Sequence, residues 1–155
     1  MNDWSAPQTL FDQLNREFGF DLDVCAEPWN TKCPEYFTPD DDGLTRQWSG
    51  SCWMNPPFGR EIGKWIRKAY LESLSGATVV CLLPAKTETD WFHKYAVKGE
   101  IRFIKGRIHF TDCNGKSGRP RFASMIVIFG GRGRKRNWTL WGARADSGGM
   151  NGANP

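Results

Sequence analysis

The sequence predicts an α/β fold with a mostly parallel sheet and a C-terminal antiparallel hairpin, on three observations. Helix-like and strand-like segments alternate over residues 5–97, the pattern left by right-handed strand–helix–strand crossovers. Thr78-Val79-Val80-Cys81-Leu82-Leu83 is a continuous apolar run, which a strand covered on both faces requires. Two more strand-like runs, 100–104 and 123–129, follow with no helix between them, so they should pair antiparallel.

Each element has its local reason. Residues 5–18 read as a helix: Ser5 can cap it, Pro7 suits its first turn, and Leu10, Phe11, Leu14 and Phe18 share one face. Gly19 stops it. Residues 20–26 read as a strand, with Phe20, Leu22 and Val24 alternating. Residues 27–49 are irregular, with Pro28, Pro34, Pro39 and the acidic turn Asp40-Asp41-Asp42-Gly43; Tyr36-Phe37-Thr38 reads as a short strand within them. Residues 51–54 form a strand that runs into Asn55-Pro56-Pro57-Phe58. A helix over 60–75 places Ile62, Trp65, Ile66, Ala69 and Tyr70 at helical spacing. Pro84 ends the apolar strand, and a short helix over 88–97 carries Trp91, Phe92 and Tyr95. A polar loop rich in Gly and Arg separates the last two strands. The stretch 130–155 is basic, then rich in Gly and Asn. The expected organisation is a single domain over 1–145 and a disordered tail over 146–155.

Composition narrows the function. A chain of 155 residues with 39% hydrophobic residues can bury a real core. It has no apolar run of the ~18 residues a membrane helix needs. Met1-Asn2-Asp3-Trp4 lacks the basic and apolar regions of a secretory signal. Five cysteines and two histidines form no Cys-x-x-Cys pair or ligand-like spacing, so no metal is expected and the thiols suit a reducing compartment. Cys25, Cys52 and Cys81 fall in apolar runs and read as small core residues. The net charge of +4 is uneven: basic residues crowd 99–136 and acidic ones crowd 21–42. A basic C-terminal third points to an anionic partner such as nucleic acid, the alternative being a solvated surface. Trp138 and Trp141 beside it could stack on bases or cover the core edge.

Asn55-Pro56-Pro57-Phe58 carries the most chemistry. Two adjacent prolines fix two φ angles and remove two N–H donors. The stiff turn that remains offers backbone carbonyls, an amide and one aromatic ring. Such a set suits a planar base with an exocyclic amine. The Asn55 oxygen and the Pro56 carbonyl can accept its two hydrogens, and Phe58 can stack on its face. The turn follows a strand and precedes a helix, where open α/β sheets place ligands. The competing reading is a rigid strand-to-helix turn with no ligand.

The chain also resembles a family. The element order and the motif look like an S-adenosylmethionine-dependent amino-methyltransferase. More narrowly, the match is to the small phage-type DNA N6-adenine methyltransferases. The resemblance rests on Trp4-Ser5-Ala6-Pro7-Gln8 with Leu10-Phe11, on residues 20–26, on Asp41-Asp42-Gly43-Leu44 with Trp48, and on residues 53–59. Downstream it includes Leu83-Pro84-Ala85, Thr89-Asp90-Trp91-Phe92, residues 105–110, Pro120-Arg121 and the strand 123–129. The motif alone is shared with methyltransferases of RNA and of protein glutamine; the full set is narrower.

The resemblance implies a compact, Rossmann-like class I methyltransferase fold, with S-adenosyl-L-methionine as cofactor. It implies a DNA partner and a bacterial host cytoplasm, with a phage or prophage origin. It places Asn55, Pro56, Pro57 and Phe58 in catalysis, on an adenine flipped out of the duplex. It points to Asp23 and Ala26 near the methionine moiety, with Ser5, Pro7, Gln8 and Asn55 nearby, and to Asp41 or Asp42 at the adenosine. Lys105, Arg107, Arg119, Arg121, Arg132, Arg134, Lys135 and Arg136 would hold phosphates. Residues 26–30 contain no glycine, so cofactor binding must lean on groups other than a Gly-rich loop. Two alternatives stay open here. One is another amine as substrate: cytosine N4, an RNA base or glutamine. The other is an inactive methyltransferase fold that only binds nucleic acid.

Overall fold

A computed structural model describes residues 4–131 and the backbone of residues 138–142. Nine strands and three helices are present among them: β1 Leu22–Asp23, β2 Glu35–Tyr36, β3 Ser51–Met54, β4 Thr78–Pro84, β5 Glu100–Lys105, β6 Phe110–Thr111, β7 Ser117–Gly118, β8 Ser124–Phe129 and β9 Trp138–Gly142, with α1 Gln8–Phe18, α2 Ile62–Leu74 and α3 Asp90–Lys94. Seven strands form one sheet in the order β2-β1-β3-β4-β8-β5-β9, and β6 and β7 form a separate ribbon. The joins β2-β1, β1-β3, β3-β4 and β5-β9 are parallel. Only β8 runs against its neighbours, β4 and β5. The sheet is thus mostly parallel, and the expected antiparallel hairpin is β5 with β8. The architecture is a Rossmann-like α/β fold.

Side-chain alternation builds a core on each face of the sheet. Val79, Cys81 and Leu83 join Cys52, Met54, Met125 and Val127 on one face, under Ile62, Trp65, Ile66 and Ala69 of α2. Val80 and Leu82 join Trp53, Ile126 and Ile128 on the other, under Leu10, Phe11 and Leu14 of α1. A strand covered twice must be apolar at successive positions, which explains the run in β4. Cys52 and Cys81 are fully buried as small core residues, whereas Cys25 is half-buried.

Several expectations need correction. Ser5 does not cap α1. The helix starts at Gln8 behind Pro7, with no side-chain cap, because the Ser5 backbone is committed elsewhere: its N–H and carbonyl pair with Thr111 (2.7 and 3.1 Å). The strand expected over 20–26 shrinks to two regular residues. The Asp21 N–H still donates to the Ser51 carbonyl (2.7 Å) and that of Val24 to Trp53 (3.1 Å), but Ala26 has turned to Phe37 (3.0 Å). The short strand in the acidic loop lies at Glu35–Tyr36. The helix over 88–97 breaks into α3 and a 3-10 turn at Ala96–Lys98. β9, a seventh strand beside β5, was not expected in the basic segment. The tail over 146–155 lies outside the described residues. Among the described residues no helix is long and apolar enough to cross a membrane.

Candidate active site

The strand order locates the crevice. From β1 the chain passes to β2 on one side, then returns to β3 on the other side of β1. Such a reversal opens a gap at the carboxyl ends of the two strands, where open α/β sheets bind ligands. Asp23 ends β1, and Asn55 follows the last residue of β3.

Asn55 is buried at the mouth of that gap, with 6% of its surface exposed. Its Nδ2 donates to the Trp4 carbonyl (3.5 Å), which orients the amide. Phe58 meets Phe110 and Phe122 edge-on, with ring centroids at 5.9 and 5.6 Å. These rings, with Trp4, Asn55, Pro56, Pro57, Gly118, Arg119 and Pro120, line a cavity of about 400 Å³. The Trp4 indole lies on Gly118, where an added Cβ would come within 2.8 Å of the ring. The Ser5–Thr111 bridge pins this N-terminal segment to β6. The ribbon β6–β7 and the chain start therefore complete a wall that the sheet itself does not supply.

A second cavity, of about 310 Å³, lies on the other side of the motif. Cys25, Ala26 and Glu27 come from the end of β1, Phe37 to Pro39 and Asp42 to Leu44 from the acidic loop, and Gly59 to Glu61 and Trp65 from the start of α2. Pro57 lines both cavities. Asp42 adopts φ 53° and its side chain accepts from the Leu44 N–H (3.3 Å), capping a 3-10 turn. Gly43 packs so tightly that an added Cβ would collide with the Val24 carbonyl and come within 3.2 Å of the Trp65 ring. The Trp48 Nε1–H donates to the Gly43 carbonyl (2.8 Å), fixing the loop from behind.

The remaining expected cofactor residues play different local parts. Asp23 is 2% exposed and lines neither cavity. Its carboxylate accepts from the N–H groups of Lys32 (3.0 Å) and Cys25 (3.3 Å), closing the loop that carries Ala26 and Glu27. Burial pushes its pKa up to about 7, against the pull of those two amides and the Lys32 charge. Burial, with the Asp23 charge beside it, also pushes the Cys25 thiol up to about 12. Asp41 faces its own loop: the Thr38 N–H and hydroxyl donate to it (2.8 and 2.9 Å), holding its carboxyl below the usual range. Gln8 accepts from the Lys32 Nζ (3.0 Å) and donates to Asp12 (2.8 Å). Ser5, Pro7 and Gln8 line neither cavity.

Of the expected phosphate-binding residues, Arg119 lines the aromatic cavity, and Lys105, Arg107 and Arg121 are exposed. Arg132, Arg134, Lys135 and Arg136 lie outside the described residues. Trp4, Phe110, Pro120 and Phe122 were not singled out as site residues by sequence reasoning. A signal was available: Phe110 and Phe122 interleave with Arg107, Arg119 and Arg121, a pattern suited to stacking bases beside phosphates.

Comparison with known proteins places the sequence among DNA-modifying relatives. The profile of the family described as DNA N-6-adenine-methyltransferase (Dam) matches residues 1–139. The chain is 38% identical over 139 residues to the DNA N-6-adenine-methyltransferase of Haemophilus phage HP1 (strain HP1c1), covering 81% of this chain and 77% of that protein. It is 30% identical over 129 residues to the DNA N-6-adenine-methyltransferase of Escherichia phage T1, covering 78% of this chain and 53% of that protein.

Proposed function

This chain belongs to the DNA N-6-adenine-methyltransferase (Dam) family, and on that premise we propose how its two cavities divide the methylation of adenine N6 in DNA. Of the amines that the motif alone leaves open, adenine N6 is the one that family membership supports. The carrying observation is Pro57, which walls both cavities, so a base in one and a methyl donor in the other would meet across the motif.

The aromatic cavity takes the target adenine. N6 reaches the major groove, but stacked neighbours block approach to its lone pair above the ring plane, so the base must be extruded, and an apolar box of rings suits its faces. Phe58 stacks on the base, held upright by the edges of Phe110 and Phe122. The N6 lone pair is delocalised into the ring and is a weak nucleophile. Asn55 Oδ1 and the Pro56 carbonyl accept the two N6 hydrogens, drawing the nitrogen toward a pyramidal shape and stabilising the positive charge that develops on it. No strong base is needed, because the methylated ammonium loses its proton readily.

The second cavity fits S-adenosyl-L-methionine. Phe37, Leu44 and Trp65 flank an apolar space suited to a purine, and Glu27, Asp42 and Glu61 offer carboxylates for hydroxyls and cationic centres. Ala26 and Asp42 are the direct contacts, whereas Asp23 and Asp41 shape the loops around them. The donor supplies a methyl group already activated on a sulfonium. Ser5 and Pro7 set the path of Trp4. Lys105, Arg107, Arg119 and Arg121 hold the DNA backbone.

The test is methyl transfer from labelled S-adenosyl-L-methionine to unmethylated duplex DNA, with the product nucleosides resolved by mass. N6-methyladenine is expected. Donor binding without any transfer to DNA would overturn the substrate assignment.

A further inference from the structure

The ribbon β6–β7 carries a hydrogen-bonded chain of which the proposed function uses only Arg119. Phe110 pairs with Gly118 and Thr111 with Ser117, so the same register sets His109 opposite Arg119. Residues 117 and 119 share one face of their strand, and the His109 ring reaches both. The Arg119 Nε donates to His109 Nε2 (2.8 Å), and His109 Nδ1 lies 3.3 Å from the Ser117 hydroxyl.

Donor chemistry sets the direction of the first contact. A guanidinium has only donors. In this contact His109 Nε2 accepts, and Nδ1 faces Ser117 Oγ. With Nε held, the two terminal nitrogens of Arg119 keep their donors for an anion. No carboxylate pairs with Arg119 among the described residues. The guanidinium stands where the ribbon forms the wall of the aromatic cavity. A bidentate fork held from behind suits a phosphate group.

We propose that His109 is a positioning residue: it holds the Arg119 guanidinium at the mouth of the aromatic cavity, to grip a backbone phosphate beside the extruded nucleotide. The inference rests on the reading of that cavity as the base site. His109 touches neither base nor cofactor and acts only through Arg119. Its loss should weaken productive DNA binding while leaving the methyl-transfer step alone.

Steady-state methylation of duplex DNA tests this with four variants: Arg119→Ala, His109→Leu, His109→Gln and the double variant Arg119→Ala/His109→Leu. Arg119→Ala is expected to raise KM for DNA about tenfold, and His109→Leu about fivefold, with kcat and the KM for S-adenosyl-L-methionine unchanged. His109→Gln places an amide oxygen where Nε2 sits and should restore KM to within about twofold. The double variant should be no worse than Arg119→Ala, because the two residues act as one unit. Additive effects, a loss of kcat, a His109→Leu enzyme with unchanged KM, or a His109→Gln enzyme as impaired as His109→Leu would each overturn the proposal. A wild-type chain that binds the donor yet methylates no DNA would instead overturn the cavity assignment, and this inference with it.

Discussion

The side-chain nitrogen of Asn55 donates to the main-chain carbonyl of Trp4, 51 residues earlier in the chain (3.5 Å). The residue that we propose receives the substrate amine is thereby oriented by a segment that walls the aromatic cavity. Trp4 rests on Gly118, and Ser5 pairs with Thr111, so the segment before α1 is fastened to the ribbon β6–β7 at the site.

Asn55→Ala removes both the acceptor for the amine and this link. Turnover should fall about a hundredfold or more, in line with the loss of one preorganised polar group at a reacting centre. Affinity for S-adenosyl-L-methionine should change only a few-fold. Calorimetric titration of the donor beside single-turnover methylation checks both. Unchanged turnover would rule out the amine-orienting role.

Gly43→Ala drives a methyl group into the Val24 carbonyl and against the Trp65 ring. A loss of about 1–3 kcal/mol is expected, as for overpacking elsewhere, together with weaker donor binding. Gly59→Ala meets nothing within 4 Å and serves as the stability control. Thermal melting of both variants decides the point. Equal melting temperatures would mean that the acidic loop yields easily.

Asp23 predicts a pH dependence of stability. In the fold its carboxyl is raised to about 7 from 3.8. Between those values the folded chain holds a proton that the unfolded chain has lost. The stabilisation tied to that proton is therefore fully present at the acid end, declines as pH rises, and is gone above about pH 7. Asp23→Asn abolishes this dependence and leaves one of the Lys32 and Cys25 N–H groups without its acceptor. Urea unfolding from about pH 5 to about pH 8 should show the advantage of the wild type over the variant shrinking as pH rises. A constant difference would contradict the burial argument.

Lys105, Arg107, Arg119 and Arg121 should each release counterions on binding DNA. Replacing any one by Ala should flatten the slope of log K against log salt by about 0.9. Fluorescence anisotropy over a salt series measures it, and an unaltered slope removes that residue from the DNA surface.

What the sequence revealed was mostly local. Asn55-Pro56-Pro57-Phe58, the apolar run of β4 and the helical face of Leu10, Phe11 and Leu14 follow from stereochemistry and spacing over a few residues. The aromatic cavity was half legible. Its motif could be read, but Phe110 and Phe122 lie far along the chain and meet Phe58 only in the folded structure. The resemblance pointed to Asp23 near the methionine moiety of the cofactor. That its oxygens are occupied by the amides of Lys32 and Cys25 depends on the return of a loop, which no local pattern encodes. Ser5 had the chemistry of a helix cap, but its backbone is taken by Thr111 from across the fold. β9 was missed because Gly and Arg dominate its surroundings, although Trp138, Thr139 and Leu140 alternate as a strand should.

The position of β8 bears on how the molecule is made. All six of its residues are buried, it separates β4 from β5, and it is the last of the three to be synthesised. A nascent chain that has emerged only as far as the ribbon has an open apolar edge on β4 and nothing for β5 to pair with. Neither face of the core can close until residue 129 has left the ribosome. Assembly is thus held back to a late, long-range event, the slow kind of strand pairing and the kind most exposed to aggregation on the way. The six residues of β8 therefore set the earliest moment at which the two faces of the core can close.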